Sequence, residues 1–348
     1  MKEAMFYQEL PDNRVRCGLC RFRCLIADGA RGHCGVRENQ DGSLYSLVYG
    51  KLCAENVDPI EKKPLFHFQP GSRSYSIATV GCNFQCRHCQ NYEISQIEKE
   101  TPIRGMARTP AEVVKKAVAH GCASIAYTYT EPTIFFEFAY DTARLAHEAG
   151  LKNIFVTNGY ITTEALTAIA PWLDAANIDL KGFSEDFYRD IVHARLAEVL
   201  DSIIEYRKLG IWIELTTLII PGLNDDEKEL QKLAGFIVAN LGVDTPWHVS
   251  QFYPTYKLTD RPRTPLATLR RAREIGRAAG LRYVYEGNVP GEGGENTWCP
   301  SCAVPLIERY GFAIGINRIR NGVCPDCGTA IAGIGMQSRS GSVKSAEE

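Results

Sequence analysis

No stretch of the chain approaches the roughly 20 apolar residues needed to cross a bilayer, and the mean hydropathy is slightly negative at −0.18. An excess of basic charge is also missing: 39 Lys and Arg against 41 Asp and Glu leave a formal net charge of −2, with a pI near 6.4. Nucleic-acid binders usually concentrate Lys and Arg on one face, so the bulk charge shows no such footprint, although it does not exclude a local patch. The first residues, MKEAMFYQELPDNR, lack the apolar segment of a secretory signal. The expectation is a cytoplasmic protein in a reducing compartment, where thirteen cysteines speak for metal ligation rather than disulfides. At 348 residues the chain has room for one large α/β domain with small appendages, or for two equal domains.

The most telling shortage is local. Cys82, Cys86 and Cys89 fall within GCNFQCRHCQN, and no fourth cysteine stands nearby at zinc spacing. His88 could act as a ligand only by crowding between Cys86 and Cys89. Iron–sulfur clusters are normally held by four thiolates, and catalytic metal sites keep a position open where structural ones are closed. CxxxCxxC therefore reads as a [4Fe–4S] cluster with one iron left free, against the blander readings of a zinc knuckle or a cluster of buried cysteines.

Two further groups have four cysteines each. Cys299, Cys302, Cys324 and Cys327 form two CxxC knuckles 21 residues apart, close to the spacing of a zinc ribbon. A closed thiolate site of that kind stabilises a segment too small to bury much core. Cys17, Cys20, Cys24 and Cys34, spaced C-x2-C-x3-C-x9-C, suit either a compact zinc loop or an auxiliary iron–sulfur cluster, with zinc preferred. Cys53 and Cys122 are left over.

Between these groups, short apolar β-branched runs alternate with amphipathic stretches, as expected of buried parallel strands separated by helices. The runs are SYSIATV, SIAYTY, NIFVTN, ANIDL, WIELTTLII, HVSQF and RYVYEGN; the helices are expected near 110–120, 134–149, 162–170, 196–209, 225–240 and 265–280. Thr109, Pro110 and Glu112 mark the start of the first helix and Gly121 its end. Six to seven βα units favour a partial (β/α)6 barrel over a full eight-stranded one. The expected division is an N-terminal Cys-rich segment and linker (1–70), the barrel (71–290), a zinc-ribbon-like segment (291–335) and a small, polar, disordered tail (336–348).

The cysteine triplet, with Gly81 before it at the end of an apolar run, resembles the signature of the radical S-adenosylmethionine (radical SAM) enzymes. Beyond the triplet, DPIEKKPLFHFQPGS, CQNYEISQ, AYTYTEPT, VTNGY, NIDLKGF, TTLIIPGLND, PWHVSQFYPTY and GNVPG resemble the radical SAM component of the AmmeMemoRadiSam system, over nearly the whole chain. That group is itself similar to pyruvate formate-lyase activating enzymes, which generate a glycyl radical on a partner protein. Where activases have an Asp before Thr-Asn-Gly this chain has Val156, which places a cation site using that Asp with Asp179 in doubt. The resemblance implies that S-adenosylmethionine chelates the free iron of the Cys82–Cys86–Cys89 cluster, and that an electron from a donor such as flavodoxin or ferredoxin releases methionine and a 5′-deoxyadenosyl radical. It also implies association with Memo-like and AMMECR1-like proteins.

In a βα barrel the site forms at the C-terminal ends of the strands. Glu131 sits where the resemblance places a segment holding the S-adenosylmethionine amino group. Thr157 and Asn158 suit ribose hydroxyls, and Gly159 permits close backbone approach. Asp179 and Lys181 project on one side by strand periodicity, as a rim ion pair or as a cofactor contact. Pro221, Gly222, Asn224 and Asp225 read as a turn whose backbone approaches the adenine. His248 and Gln251 point to opposite faces, with His248 a candidate for substrate or proton contact. Phe84, Tyr127 and Tyr129 would exclude water or pack as core. The competing function is a zinc-rich adaptor or nucleic-acid-binding module with every cysteine structural.

Overall fold

The computed structural model describes residues 1–337, so the expected polar tail lies, apart from Met336 and Gln337, outside the described residues. Met336 itself is buried. A central sheet of eight strands organises the chain. They are β1 (Ala54–Pro59), β2 (Arg73–Ala78), β3 (Ser124–Tyr127), β4 (Lys152–Thr157), β5 (Ala175–Asp179), β6 (Trp212–Ile219), β7 (Trp247–Gln251) and β8 (Val284–Gly287). Each pairs with the next in sequence order; β2 to β8 are parallel, and β1 is antiparallel to β2. Among the described residues no ladder joins β1 to β8, so the sheet is open. Seven parallel strands are present, the upper end of the six to seven read from the apolar runs, with RYVYEGN supplying β8.

Six helices occupy the crossovers: α1 (Pro110–Ala119), α2 (Phe136–Glu148), α3 (Thr163–Ile169), α4 (Leu196–Lys208), α5 (Glu227–Asn240) and α6 (Leu266–Ala278). The α1 start has a full capping box, with the Thr109 hydroxyl accepting from the Glu112 N–H and the Glu112 carboxylate accepting from the Thr109 N–H. Gly121 ends it at φ +60°. The outward strand residues, Tyr75, Ile125, Phe155, Ile178 and Leu215 among them, pack into one apolar cluster with the helices.

The inward face differs. Ser74, Ser76, Ser124, Asn177, Glu214 and His248 follow one another across the sheet register and are buried. A strand with helices on one side and polar side chains on the other still reads as an apolar run, since half its residues alternate into the helix layer. The inner face is covered by 60–68. Ile60, Leu65 and Phe68 pack on Ala126, Ile154 and Ala175, and the Glu214 carboxylate accepts the N–H groups of Phe66 and His67 at 2.9 and 2.7 Å. Residues 54–59 thus belong to the sheet and 60–68 pack over its inner face.

The N-terminal residues form two small antiparallel sheets, one from Lys2–Glu3, Arg37–Gln40 and Ser43–Ser46, the other from Tyr7–Leu10, Arg14–Cys17 and Leu25–Ile26. A buried ion pair fastens them to α2: the Arg37 guanidinium donates to both Glu137 oxygens at 3.1 and 2.7 Å, and Glu137 also accepts the Met5 N–H at 2.7 Å. Near the other end, Thr297–Trp298, Pro305–Tyr310 and Ala313–Asn317 make a three-stranded antiparallel sheet. Glu137→Ala leaves a buried guanidinium unpaired and is expected to lower stability by about 3–5 kcal/mol, read as a shift in the denaturant midpoint.

Candidate active site

A cavity of about 480 Å³ opens at the C-terminal ends of the parallel strands, and Cys82, Cys86 and Cys89 all line it. Gly81, at φ +95°, turns the chain out of β2; a Cβ there would meet Val36 Cγ1 at 2.6 Å and the Cys34 carbonyl oxygen at 2.9 Å. The loop is pinned by Arg87 N–H to the Ile191 carbonyl at 2.9 Å and by Gly81 N–H to the Ile94 carbonyl at 2.8 Å. Sulfur contacts are already organised: the Phe84 N–H and the Asn158 Nδ2 approach Cys82 Sγ at 3.3 and 3.4 Å, and Ser95 Oγ lies 3.1 Å from Cys89 Sγ. Burial pushes the Cys82 thiol far up, with Glu131 adding to it. Burial likewise raises Cys86 to about 12, against the pull of Lys181. Such thiols lose their protons when a metal takes them. Among the described residues no other cysteine lines the cavity, so it offers three thiols and not four.

Thr157, Asn158, Asp179 and Lys181 line the same cavity. The Lys181 Nζ lies 2.9 Å from Asp179 Oδ2. Burial works against the Lys181 ammonium, and Asp179 with the Cys86 sulfur outweighs it, so its pKa is raised. Glu131 departs from its expected place. It is fully buried behind the cavity wall, where Oε1 accepts from Thr133 N–H, Thr133 Oγ1 and Thr157 Oγ1 at 3.0, 2.6 and 2.8 Å and Oε2 accepts the Asn158 N–H at 2.7 Å. With its oxygens so committed, it braces the Thr157–Gly159 turn instead of offering a carboxylate to an ammonium. Its neighbours Thr128, Tyr129 and Thr130 face the cavity in its stead.

Tyr127 also departs from the mouth: it lies on the helix side and donates to Asn153 Oδ1 at 3.1 Å. Tyr129 lines the cavity in a left-handed conformation, φ +62°, and its carbonyl accepts from Asn91 Nδ2 at 2.8 Å. Phe84 lines it as expected. Asn224 knits the turn after β6 to the end of β5, donating to the Lys181 and Leu218 carbonyls at 2.7 and 2.9 Å. His248 lines the cavity and pairs with Glu214 at 2.7 Å, while Gln251 points away and donates to the Thr264 carbonyl. His88 is buried in the wall, its pKa lowered to about 3 by burial and by Lys181. Cys53 and Cys122 do not line the cavity, so neither supplies an additional cysteine there.

Two parts of the site escape sequence reasoning. Asp58 accepts from Lys62 Nζ at 3.0 Å, from Lys63 Nζ at 2.7 Å and from the Tyr129 hydroxyl. Burial alone would raise the Asp58 carboxyl, but Lys63, Tyr129 and Lys62 hold it well below the usual carboxylate range. Lys63 is lowered to about 8 by burial, against the pull of Asp58. The charge-dense DPIEKKP segment was the available signal. The other unforeseen part is a wall of Glu295, Gly311 and Phe312, supplied by the C-terminal segment.

The C-terminal cysteines form the tightest ligand group. The sulfurs of Cys299, Cys302, Cys324 and Cys327 all lie within 4.8 Å of one another, with pairs at 3.6 and 3.7 Å. Four thiolates around one tetrahedral ion at zinc distances stand about 3.8 Å apart, so this group fits a single closed ion.

Residues 76–234 match the Radical SAM superfamily, a span that begins in β2, contains the cysteine triplet and ends within α5. The chain belongs to the radical SAM superfamily. Its members are enzymes that use an iron–sulfur cluster and S-adenosylmethionine, and the chain is an enzyme of this superfamily. An uncharacterised protein of Methanocaldococcus jannaschii is 50% identical over 334 residues, covering 95% of this chain and 99% of that one. A second protein of the same organism, whose name assigns it to glycyl-radical enzyme activation, is 26% identical over 177 residues, 48% of this chain and 63% of its own. Among solved structures, a radical SAM methyltransferase from Sphaerobacter thermophilus aligns with a TM-score of 0.51 at 18% identity, over 64% of this chain and 68% of that one, which supports a shared fold. Among the described residues no helix is long and apolar enough to cross a membrane.

Two outcomes follow from this geometry. Glu131→Gln is expected to cost about 1–3 kcal/mol of stability in thermal unfolding without any ligand; a carboxylate serving only a ligand would leave that midpoint unchanged. Asp58, lowered in the folded state, contributes stability that is present above the unfolded carboxyl pKa and lost as pH falls towards the folded one. Wild type is therefore expected to lose more stability than Asp58→Asn between about pH 5 and about pH 3, measured by denaturant unfolding at each pH.

Proposed function

We propose that this enzyme binds a [4Fe–4S] cluster through Cys82, Cys86 and Cys89 and S-adenosylmethionine at the open iron, and uses the pair to abstract hydrogen from a substrate. The observation that carries the reading is three cysteines, and no fourth, on one cavity at the strand ends. When bound and reduced by one electron, the cluster supplies reductive cleavage of S-adenosylmethionine to methionine and a 5′-deoxyadenosyl radical. A one-electron donor such as flavodoxin or ferredoxin fits that need.

The protein's own work is positioning and exclusion. Asn158 and the Phe84 N–H donate towards the Cys82 sulfur, which favours the thiolate. Lys181 adds positive charge near Cys86. Thr157 and Asn158 are set to meet the ribose, and Asp179 with Lys181 to meet the charged end of the same ligand. Phe84 and Tyr129 limit water, which protects a reactive intermediate. We read the open sheet as a partial barrel around this cavity and the C-terminal cysteines as a zinc-ribbon-like site, because their sulfur spacing suits one zinc ion. The region as a whole divides into an N-terminal Cys-rich part, a barrel and this ribbon.

The glycyl-radical activating relative supports a protein substrate as the first class to test. The motif resemblance supports membership of the AmmeMemoRadiSam group, with Memo-like and AMMECR1-like proteins as its partners, and a cytoplasmic setting. The test is anaerobic reconstitution with iron and sulfide, reduction by dithionite, and assay of 5′-deoxyadenosine from S-adenosylmethionine. Wild type is expected to produce it and Cys82→Ala to lose at least 100-fold, on the order of a removed essential group. Equal activity in the two proteins, or none in either, would reject the reading.

A further inference from the structure

The four N-terminal cysteines converge although their loops do not. Cys17, Cys20, Cys24 and Cys34 all line one small cavity, closed by Leu19, Phe22, Ile26 and Ile134 and by three polar residues, His33, Arg37 and Asn83. Each of the three has a buried nitrogen without a hydrogen-bond partner: His33 Nε2, Arg37 Nε and Asn83 Nδ2. Arg37 and Asn83 are almost wholly buried. Buried polar groups are seldom left unpaired in a folded protein; Arg37 Nε and Asn83 Nδ2 can only donate, and His33 Nε2 donates in one tautomer, so this cysteine-lined cavity points to an acceptor-rich occupant. Four thiolates around one ion offer few acceptors beyond the thiolates themselves; a cluster adds bridging sulfides.

Sulfur spacing separates the two occupants. Among the described residues, only the C-terminal cysteines bring three or more ligand atoms within 4.8 Å of one another. A single zinc ion needs that closeness, about 3.8 Å between sulfurs, whereas thiolates on the corners of an iron–sulfur cube stand farther apart. Neither the N-terminal four nor the Cys82–Cys86–Cys89 group brings three sulfurs that close together, unlike the C-terminal group. The two spread groups are neighbours: Asn83, next to Cys82, lines the N-terminal cavity, and the Cys34 carbonyl would lie 2.9 Å from a Cβ on Gly81. Arg37 has its charge paired with Glu137, and only its Nε is left over on this side of the fold.

We infer that Cys17, Cys20, Cys24 and Cys34 hold a second [4Fe–4S] cluster, fully ligated by protein, packed against the loop of the first. This replaces the zinc preference drawn from spacing alone. With four thiolates it keeps no iron open for substrate, so it is an electron-holding group. The comparison of spacing rests on the proposed role of Cys82, Cys86 and Cys89, but the test does not.

A variant with Cys82, Cys86 and Cys89 all changed to Ala is reconstituted anaerobically and analysed for iron, sulfide and zinc, with electron paramagnetic resonance after dithionite. About four irons and four sulfides per chain, with zinc for the C-terminal site only, are expected, together with a reduced-cluster signal that S-adenosylmethionine does not change. Two zinc ions and no iron, or no metal beyond one zinc, overturn the inference. Should that variant fail to fold, wild type is compared with Cys17→Ser, Cys20→Ser, Cys24→Ser and Cys34→Ser combined. Wild type is then expected to hold about four more irons than the quadruple variant; equal iron in the two, or an aggregated quadruple variant beside a wild type with only about four irons, overturns it. Loss of 5′-deoxyadenosine formation in wild type would reject the proposed function while leaving this iron count to stand or fall by itself.

Discussion

One buried carboxylate holds the catalytic end of the sheet in register. Glu131 accepts four hydrogen bonds from Thr133, Thr157 and Asn158, so the end of β3 and the turn after β4 share one anchor. Through Asn158, whose side chain reaches Cys82 Sγ and Asn83 Oδ1 at 3.4 and 3.0 Å, the same anchor extends to the cysteine loop. Burial raises the Glu131 carboxyl, and the donors around it pull the other way. Four directed donors offset the cost of burying it, because removing any one would leave an unpaired group in a low-dielectric interior. Placement of the cysteine loop therefore depends on a residue that does not line the cavity.

The inner face follows the same logic on a larger scale. Asn177, Glu214 and His248 would be costly in an ordinary sheet core, yet here they are matched by backbone groups of 64–67 and by one another. Glu214 collects the Phe66 and His67 N–H groups together with His248. Asn177 donates to the Pro64 carbonyl at 2.8 Å. A polar interior satisfied in this way leaves room at the strand ends for a charged cofactor, where an all-apolar core would have filled the space.

Much of this was legible in the residues. Seven apolar runs became β2 to β8 and six amphipathic stretches became α1 to α6, with ends within a few residues, since the outward half of each strand feeds a continuous apolar layer. The Asp179–Lys181 pairing followed from period two. Glu131 was misread because sequence places a residue at a strand end without saying whether its side chain turns towards the cavity or behind the wall. The role of 54–68 was hidden for a related reason: β2 follows it closely in the chain, but Glu214 is distant in sequence, and only Glu214, a lone charge inside WIELTTLII, hinted at a buried acceptor. The Glu295, Gly311 and Phe312 wall had no local signal.

That wall bears on how the enzyme is made. The ribosome delivers the N-terminal cysteines first, the triplet next and Glu295 to Phe312 last, and domains fold largely in the order they emerge. Until the segment carrying Glu295, Gly311 and Phe312 folds onto the strand ends, one side of the cavity stays open to the surroundings. Access to the cysteine triplet is widest during that interval, and the folding of this segment is what narrows the way in for oxygen and water.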